Sequence, residues 1–326
     1  MLMVIISAIA LHAQNSPQEE LVEEEIPRID IFPLTLVLEG AKYPGVWQPD
    51  WPLELPPDAF KVLSGELTKI SVSGEGYTFK LSYSPAGLVE EFPFMLNGRM
   101  AQIGLAYNRA AEIRKLTVTF PGDDPWEMEF LEHRDAFPVL VRGFHSNFWY
   151  FVYFFRGGDE IRETWYDAEG NFLGAYFFSL TEIGETKRVR ELKDYRILGR
   201  NTEFYYDSRG LMTEASGLGG LYKVLYFRED LPRYWERWPA MDESWDSSPE
   251  EFQSFWNSGR FSLQWDKRDL LLRIAGGQDL ADFRYEYTLD ASGNWIERRE
   301  VRMLRRLGLL VPSRGITIKR VLEYKK

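Results

Sequence analysis

Four tryptophans lie close together in one stretch of this chain, and their ring chemistry suits ligand binding. Trp235, Trp238, Trp245 and Trp256 fall within 22 residues that also contain two prolines. A flat aromatic ring buries a large area at low entropy cost, so exposed tryptophans stack on sugar rings or on the prolines of a peptide. The structural alternative is that these rings seal the end of a thin sheet against water. We predict this cluster as the ligand-binding site and keep both interpretations open.

A second chemical possibility is a pair of carboxylates beside an aromatic run. Asp159, Glu160 and Glu163 follow the sequence FWYFVYFF at 148–155. Glycoside hydrolysis requires two carboxylates about 5–10 Å apart, so these acids are the candidates for such a pair. A solvated strand end explains the same residues without any chemistry, and it is the favoured interpretation.

Residue counts restrict metal and covalent chemistry. The chain has no cysteine, which excludes disulfides, thiolate metal sites and a cysteine nucleophile. Its three histidines, His12, His133 and His145, have no partner at metal-ligand spacing. No nucleophile elbow, Walker loop or zinc-protease motif occurs, and the glycines at 217–220 suit a hairpin connection. We therefore predict no catalytic residue, no metal and no cofactor.

Charge is distributed unevenly over the 326 residues, whose net charge is -11. Residues 19–25 contain five acids and no base, whereas residues 297–326 contain ten basic and three acidic side chains. An acidic body argues against nucleic acid as a partner, because nucleic-acid binding needs a basic face. The basic end is predicted to be solvated charge that protects the end of a sheet from edge pairing.

The N-terminus is typical of an exported protein. Residues 1–13 contain no charged side chain and include an apolar run from Leu2 to Leu11. This run is too short to span a bilayer and fits the apolar region of a secretory signal, with a buried terminal element as the alternative. Residues 14–30 form an acidic linker. No later stretch is apolar enough to span a membrane, so we expect a periplasmic, secreted or cell-surface protein without a transmembrane span.

A recurring turn signal dominates the rest of the sequence. An aromatic residue is followed by Asp or Ser and, three residues later, by Gly, as in Tyr166-Asp167-Ala168-Glu169-Gly170. Asp or Ser suits the first position of a type I turn, and Gly adopts the positive φ that follows it, so each copy predicts a β-hairpin. Good copies lie near Tyr83, Tyr166, Tyr206 and Tyr287, and weaker ones near Tyr107, Leu131, Phe155 and Trp265. The period is about 24 residues, which is typical of repeat architectures.

These hairpins predict an all-β fold: an antiparallel β-meander repeat, forming a large open or coiled sheet, over residues 61–326. The run at 148–155 is apolar on both faces and is expected under a covering layer or in the middle of the sheet. Residues 31–60 contain six prolines and are predicted as an irregular segment outside the repeat. One short helix is predicted from Ser248 to Gly259, within an insertion near 232–258.

The repeat resembles a known family. Phe283–Ile296 and Trp165–Leu173 are similar to the YD repeats of bacterial cell-surface and Rhs-type proteins. The resemblance covers roughly residues 61–326, with two extra residues between Tyr287 and Asp290 and with Gly absent from several copies. It implies an exported antiparallel meander and no catalytic residues.

Taken together, these features predict a non-enzymatic, exported β-repeat protein that acts as a binding or scaffolding surface in the cell envelope. An envelope protein or a glycan is the expected partner. One alternative is a carbohydrate-binding or weakly carbohydrate-active protein that uses the tryptophan cluster. Another is a periplasmic carrier of lipid or lipoprotein on an open aromatic sheet.

Overall fold

Twenty-one strands and one short helix occur in the part of the chain that the computed structural model describes. The described residues are 31–42, 44, 59–61, 65–74, 76–96, 99–134, 137–158, 160–183, 187–194, 201–207, 211–217, 220–228, 231–238, 259–276, 281–306, 309–313 and 315–325. The predicted signal segment and acidic linker lie outside them, as does the predicted helix from Ser248. No helix in these ranges is long and apolar enough to cross a membrane.

The elements follow one another as hairpins. They are α1 Leu34–Gly40, β1 Leu67–Gly74, β2 Tyr77–Tyr83, β3 Val89–Leu96, β4 Arg99–Tyr107, β5 Ile113–Thr119, β6 Trp126–Arg134, β7 Phe137–His145, β8 Phe148–Gly157, β9 Glu160–Asp167, β10 Phe172–Ile183, β11 Lys187–Asp194, β12 Asn201–Tyr206, β13 Met212–Gly217, β14 Gly220–Arg228, β15 Leu231–Trp238, β16 Gly259–Trp265, β17 Leu271–Gly276, β18 Ala281–Leu289, β19 Trp295–Arg306, β20 Leu309–Pro312 and β21 Thr317–Tyr324.

All of these strands belong to one antiparallel sheet. Each strand from β1 to β19 pairs with the strand that follows it in the chain, which is the arrangement of a meander. The last strand, β21, pairs with β19 on one side and with β1 on the other. The predicted all-β antiparallel meander is therefore confirmed.

The repeated turn has the same hydrogen bonds in six places. In each, the backbone N–H of the first turn residue donates to the carbonyl four residues later. The side chain of that first residue accepts from the N–H of the same later residue. These turns begin at Ser84, Asn108, Asp167, Asp207, Asp266 and Asp290. The turn prediction is confirmed there, because a short polar side chain closes the turn as expected.

Two of the weaker turn predictions are wrong in position. Strand β6 continues through Leu131 to Arg134, and strand β8 continues through Phe155 to Gly157. The first polar residue is Glu132 in one segment and Arg156 in the other, and neither has the short side chain that closes the other six turns, so the strand pairing continues. The turn after β8 comes later, at Gly158, whose φ is +63°.

Aromatic residues at the ends of strands connect one turn to the previous one. The hydroxyl of Tyr107 donates to the carbonyl of Val89 at 2.8 Å, and Tyr287 donates to the carbonyl of Leu271 at 2.6 Å. In both cases the acceptor is the first residue of the strand that follows the preceding repeat turn. The aromatic position of the repeat therefore has a structural role, which accounts for part of the high aromatic content.

Part of the core lies between the sheet and the first residues of the proline-rich segment, residues 31–60. Ile31, Phe32, Leu34 and Val37 of this segment are fully buried. We call the side of the sheet that contacts the segment the inner face and the opposite side the outer face. Helix α1 lies in a part that was predicted to be irregular, and it occupies the stretch between Pro33 and Pro44 that contains no proline.

A second attachment of the segment lies at the basic end of the chain. The guanidinium of Arg320, on β21, donates to the carbonyl oxygens of Ala59 at 3.2 Å and Lys61 at 2.7 Å. It also lies over the ring of Trp295, 3.8 Å from the centroid. Arg320 and Arg298 are 4% and 0% exposed, so the prediction that the basic end is solvated charge is wrong for these two residues.

Candidate functional site

Aromatic rings from β6, β8 and β9 lie together on the inner face of the sheet. Phe32 packs edge-on against Trp126 and Trp165, with ring centroids 5.2 and 5.6 Å away. Tyr150 stacks on Trp165 at 5.2 Å. Burial raises the pKa of the Tyr150 hydroxyl well above its ordinary value. This part of the inner face is filled by the chain itself, which disfavours the idea that it carries an acyl chain.

Glu163 attaches helix α1 to this face. Its carboxylate accepts hydrogen bonds from Leu34 N at 2.9 Å, Thr35 N at 2.8 Å and Thr35 Oγ1 at 2.8 Å. Trp165 Nε1 donates a fourth bond, at 2.6 Å. Burial raises the pKa of the Glu163 carboxyl, and these hydrogen bonds offset part of the rise. The carboxylate therefore satisfies N–H groups that a helix leaves free at its first turn.

The outer face of the same strands is aromatic as well, but it is exposed. Trp149, Tyr153 and Phe155 on β8 are 47%, 48% and 68% exposed, and Phe172 at the start of β10 is 57% exposed. They are the exposed aromatic residues among those whose side chains are described, and all of them lie in this one region. Of the two placements expected for 148–155, the structure has the one in the middle of the sheet, between β7 and β9, and its outer face is exposed. Concentrated exposed aromatic surface marks interaction sites in soluble proteins.

A groove of about 830 Å³ crosses this surface between β8 and β9. Its lining includes Phe151, Tyr153 and Phe155 from β8 and Arg162, Thr164 and Tyr166 from β9. The turn at Asp167 to Gly170 lies at one end of the groove.

Strand register explains the shape of the groove. Phe151 is paired with Tyr166, Tyr153 with Thr164, and Phe155 with Arg162. Because side chains two residues apart share a face, these pairs form three successive rows across the two strands. Thr164 is short and only 6% exposed although it points outward, so it forms the floor between the taller rows on either side. Ala175 continues this low row on β10.

The polar side chains of the groove are one guanidinium, three hydroxyls and one carboxylate. Arg162 lies over the ring of Phe177 at 5.3 Å, and it forms no ion pair with any described residue. The hydroxyls of Tyr153, Tyr166 and Thr164 form no hydrogen bond within the described ranges. The carboxylate of Asp167 is already engaged by the backbone N–H and side-chain amide of Asn171, at 2.6 and 2.7 Å. Burial opposes the charge of Asp167, but these hydrogen bonds outweigh it and lower its pKa.

The predicted tryptophan site falls largely outside the described part of the protein. Trp235 and Trp238 lie on β15, where Trp235 pairs with Val224 and Trp238 with Leu221. Their side chains are not among the described features, and Trp245 and Trp256 lie outside the described residues altogether. The binding prediction for these four tryptophans therefore stays untested.

The predicted carboxylate pair is not assembled by the described residues. Glu163 faces the inner side and is 1% exposed, whereas Glu160 is exposed. Asp159 lies outside the described residues. Glu163 is a structural residue because helix α1 and Trp165 use both of its oxygens.

Two histidines that were considered as metal ligands pack against aromatic rings. His145 stacks on Trp126 with centroids 4.0 Å apart, and His133 stacks on Phe130 at 5.8 Å. Within the described ranges, no group of three acidic or histidine side chains is arranged to hold a metal.

Sequence reasoning missed the outer groove because the run at 148–155 is apolar at every position. The neighbouring strand carries the missing signal. On β9, Arg162, Thr164 and Tyr166 alternate with Glu163 and Trp165. The polar face of β9 predicts a solvent-exposed face, and the paired strand β8 shares that face.

Comparison with known proteins gives only distant structural similarity. No family model matches the chain, and no curated protein matches it. A porin-like protein from Bacteroides uniformis ATCC 8492 is 12% identical, with a TM-score of 0.28, over 79% of this chain and 96% of its own. A chain of the TcdB2-TccC3-Cdc42 structure is 11% identical, with a TM-score of 0.29, over 72% of this chain and 14% of its own. The specific YD-repeat resemblance stays a prediction.

Proposed function

We propose that this chain is a non-enzymatic binding protein whose contact surface is the outer face of strands β7 to β10. The observation that carries the proposal is the concentration of Trp149, Tyr153, Phe155 and Phe172 on this surface. Leaving four large rings in water forgoes the stabilisation that their burial would give, about 1.5–3 kcal/mol for each large apolar side chain. A partner that covers these rings recovers that free energy.

Rigid support favours binding over a purely structural role for these residues. The opposite faces of β8 and β9 are fixed by Tyr150, Trp165 and the contacts with Phe32. The outer rings are therefore presented by a packed layer, which lowers the entropy cost of binding. The mechanism consists of shape and aromatic contact and includes no chemical step.

The proposed setting is the bacterial cell envelope, in the periplasm or at the cell surface. Support comes from the apolar run between Leu2 and Leu11, which is typical of a secretory signal. In that setting the surface would hold an envelope protein or a glycan. Carbohydrate binding is the second candidate, since aromatic rings beside hydroxyls also suit a sugar.

The test is binding of the full chain to envelope fractions, separated into proteins and glycans. We expect wild-type protein to be retained by one fraction, and the double variant Tyr153→Ser with Phe155→Ser to lose at least tenfold in affinity. The matched control is Leu225→Ser, because Leu225 is 61% exposed on β14, away from the groove. Retention that is equal for wild type and double variant would show that this surface is not the contact.

A further inference from the structure

We infer that the groove between β8 and β9 recognises a proline-rich peptide segment that carries an acidic residue. This inference rests on the proposed binding function and specifies its partner. The ligand chemistry follows from the lack of a free carboxylate in the groove, from the row of aromatic rings and from the charge of Arg162.

The first argument is the lack of a free carboxylate in the groove. Arg162 can only donate, and the hydroxyls of Tyr153, Tyr166 and Thr164 can each donate or accept. The one carboxylate among the described lining residues, Asp167, is occupied by Asn171. Proline lacks an N–H and offers only its carbonyl, so a proline-rich segment needs only donors, which Arg162 and the three hydroxyls can supply.

The second argument is the spacing of the rings. Phe151, Tyr153 and Phe155 project from the same face of β8, so Phe151 and Phe155 lie about 13 Å apart along the strand. A polyproline II helix rises about 3.1 Å per residue, so this distance corresponds to about four residues. Proline-rich segments bind in aromatic-lined grooves because their conformation is already formed before binding. The three rings match one such stretch.

The third argument is charge. Arg162 lies between Phe155 on β8 and Phe177 on β10, which are its register partners on either side. Among the described residues no acid pairs with it, and Glu163 next to it faces the opposite side of the sheet. A carboxylate on the ligand can accept two hydrogen bonds from this guanidinium. Asp167 lies at the other end of the groove, so the acidic residue is placed at the Arg162 end.

The test uses the full chain and fluorescence anisotropy with a labelled decapeptide of proline that has one central glutamate. Three competitors are compared: the same peptide with glutamine, a glycine–serine decapeptide, and maltohexaose. We expect the glutamate peptide to bind about fivefold more tightly than the glutamine peptide. The glycine–serine peptide and maltohexaose are expected to bind at least tenfold more weakly than the glutamate peptide.

Variants assign the effect to the groove. Phe155→Ser is expected to weaken binding of the glutamate peptide at least tenfold. Arg162→Gln is expected to equalise the glutamate and glutamine peptides while leaving the glutamine peptide's affinity unchanged. Arg109→Gln is the control, because Arg109 is an exposed arginine in the turn between β4 and β5. Each variant is compared at equal folded fraction, measured by thermal unfolding.

The possible failures are distinguishable. Tighter binding of maltohexaose than of either proline peptide would overturn this inference in favour of a sugar. Envelope binding that depends on Tyr153 and Phe155, without any binding of the proline peptides, would overturn the ligand class but leave the proposed function in place. If Arg109→Gln also bound the glutamate and glutamine peptides with equal affinity, the preference for glutamate would not come from Arg162.

Discussion

The inner and outer faces of strands β8 and β9 are both aromatic, yet their environments are opposite. On the inner face, Tyr150 and Trp165 are 0% exposed, with Trp165 packed against Phe32 and Tyr150 stacked on Trp165. On the outer face, Tyr153 and Phe155 are about half and two thirds exposed. The same residue types therefore serve the stability of the protein on one side and remain available for contact on the other.

This difference shows that aromatic content alone does not locate a binding site. What distinguishes the inner face is its contact with residues 31–35 of the proline-rich segment. Ile31, Phe32 and helix α1 give the inner rings their partners, and Glu163 fixes the helix at that position. Substitutions on the two faces should accordingly differ in what they change: folding on the inner side and binding on the outer side.

The largest effect is expected for Trp165→Ala. Removing a fully buried indole leaves a cavity beside Phe32 and Tyr150 and deletes a hydrogen bond to Glu163. The free energy of unfolding should fall by about 3–5 kcal/mol, measured by urea denaturation at constant m. Tyr153→Ala, on the outer face of the neighbouring strand, should cost less than about 1 kcal/mol. Similar losses for the two variants would remove the distinction between the faces.

Glu163→Gln should give the next largest effect. Gln retains one acceptor oxygen, but its NH₂ group faces donors where the second carboxylate oxygen accepted hydrogen bonds. We expect a loss of about 2 kcal/mol in the free energy of unfolding. Hydrogen exchange at the amides of Leu34 and Thr35 should also accelerate, which places the effect at helix α1.

The matched control for that variant is Glu160→Gln. Glu160 lies on the same strand but is exposed, so the change should stay within about 0.5 kcal/mol. A large loss in the control would mean that negative charge on β9, rather than the bonds to helix α1, stabilises the protein.

The repeat turns and helix α1 show what the sequence could and could not predict. The turns at Asp167 and Asp290 were predictable, because a short polar side chain and a glycine determine them locally. Helix α1 was not, because its first N–H groups are satisfied by Glu163, which lies 129 residues from Leu34. A cap that comes from so far along the chain leaves no local signal.

The outer groove was partly predictable, but only from two strands taken together. The run at 148–155 has no polar position, so its own pattern does not distinguish a covered face from an exposed one. Alternation on β9, with Arg162 and Thr164 on one side and Glu163 on the other, supplies that information. The choice of the four tryptophans from 235 to 256 relied on their residue type and on their clustering in the sequence, neither of which indicates on which face of a sheet a ring lies.

A smaller effect is expected for Tyr176→Phe. The hydroxyl of Tyr176 donates to the carbonyl of Ile31 at 2.9 Å, where the proline-rich segment meets β10. Its removal leaves a buried carbonyl with one donor fewer, so the free energy of unfolding should fall by about 1 kcal/mol. Tyr153→Phe removes an outer hydroxyl that has no described protein partner and should change stability by less than about 0.3 kcal/mol. Equal losses would imply that the Ile31 contact contributes nothing specific.

The smallest effect on stability is expected for Phe155→Ser. Phe155 is 68% exposed, so replacing it removes little buried area, and unfolding should shift by no more than about 0.5 kcal/mol. Its neighbour across the strand pair, Arg162, loses one flanking ring but keeps its contact with Phe177. Binding of the proline peptide is nevertheless expected to weaken at least tenfold, because the ring lies at the edge of the groove. A variant that lost several kcal/mol of stability would place Phe155 in the core, and the outer face would then belong to the fold rather than to a partner.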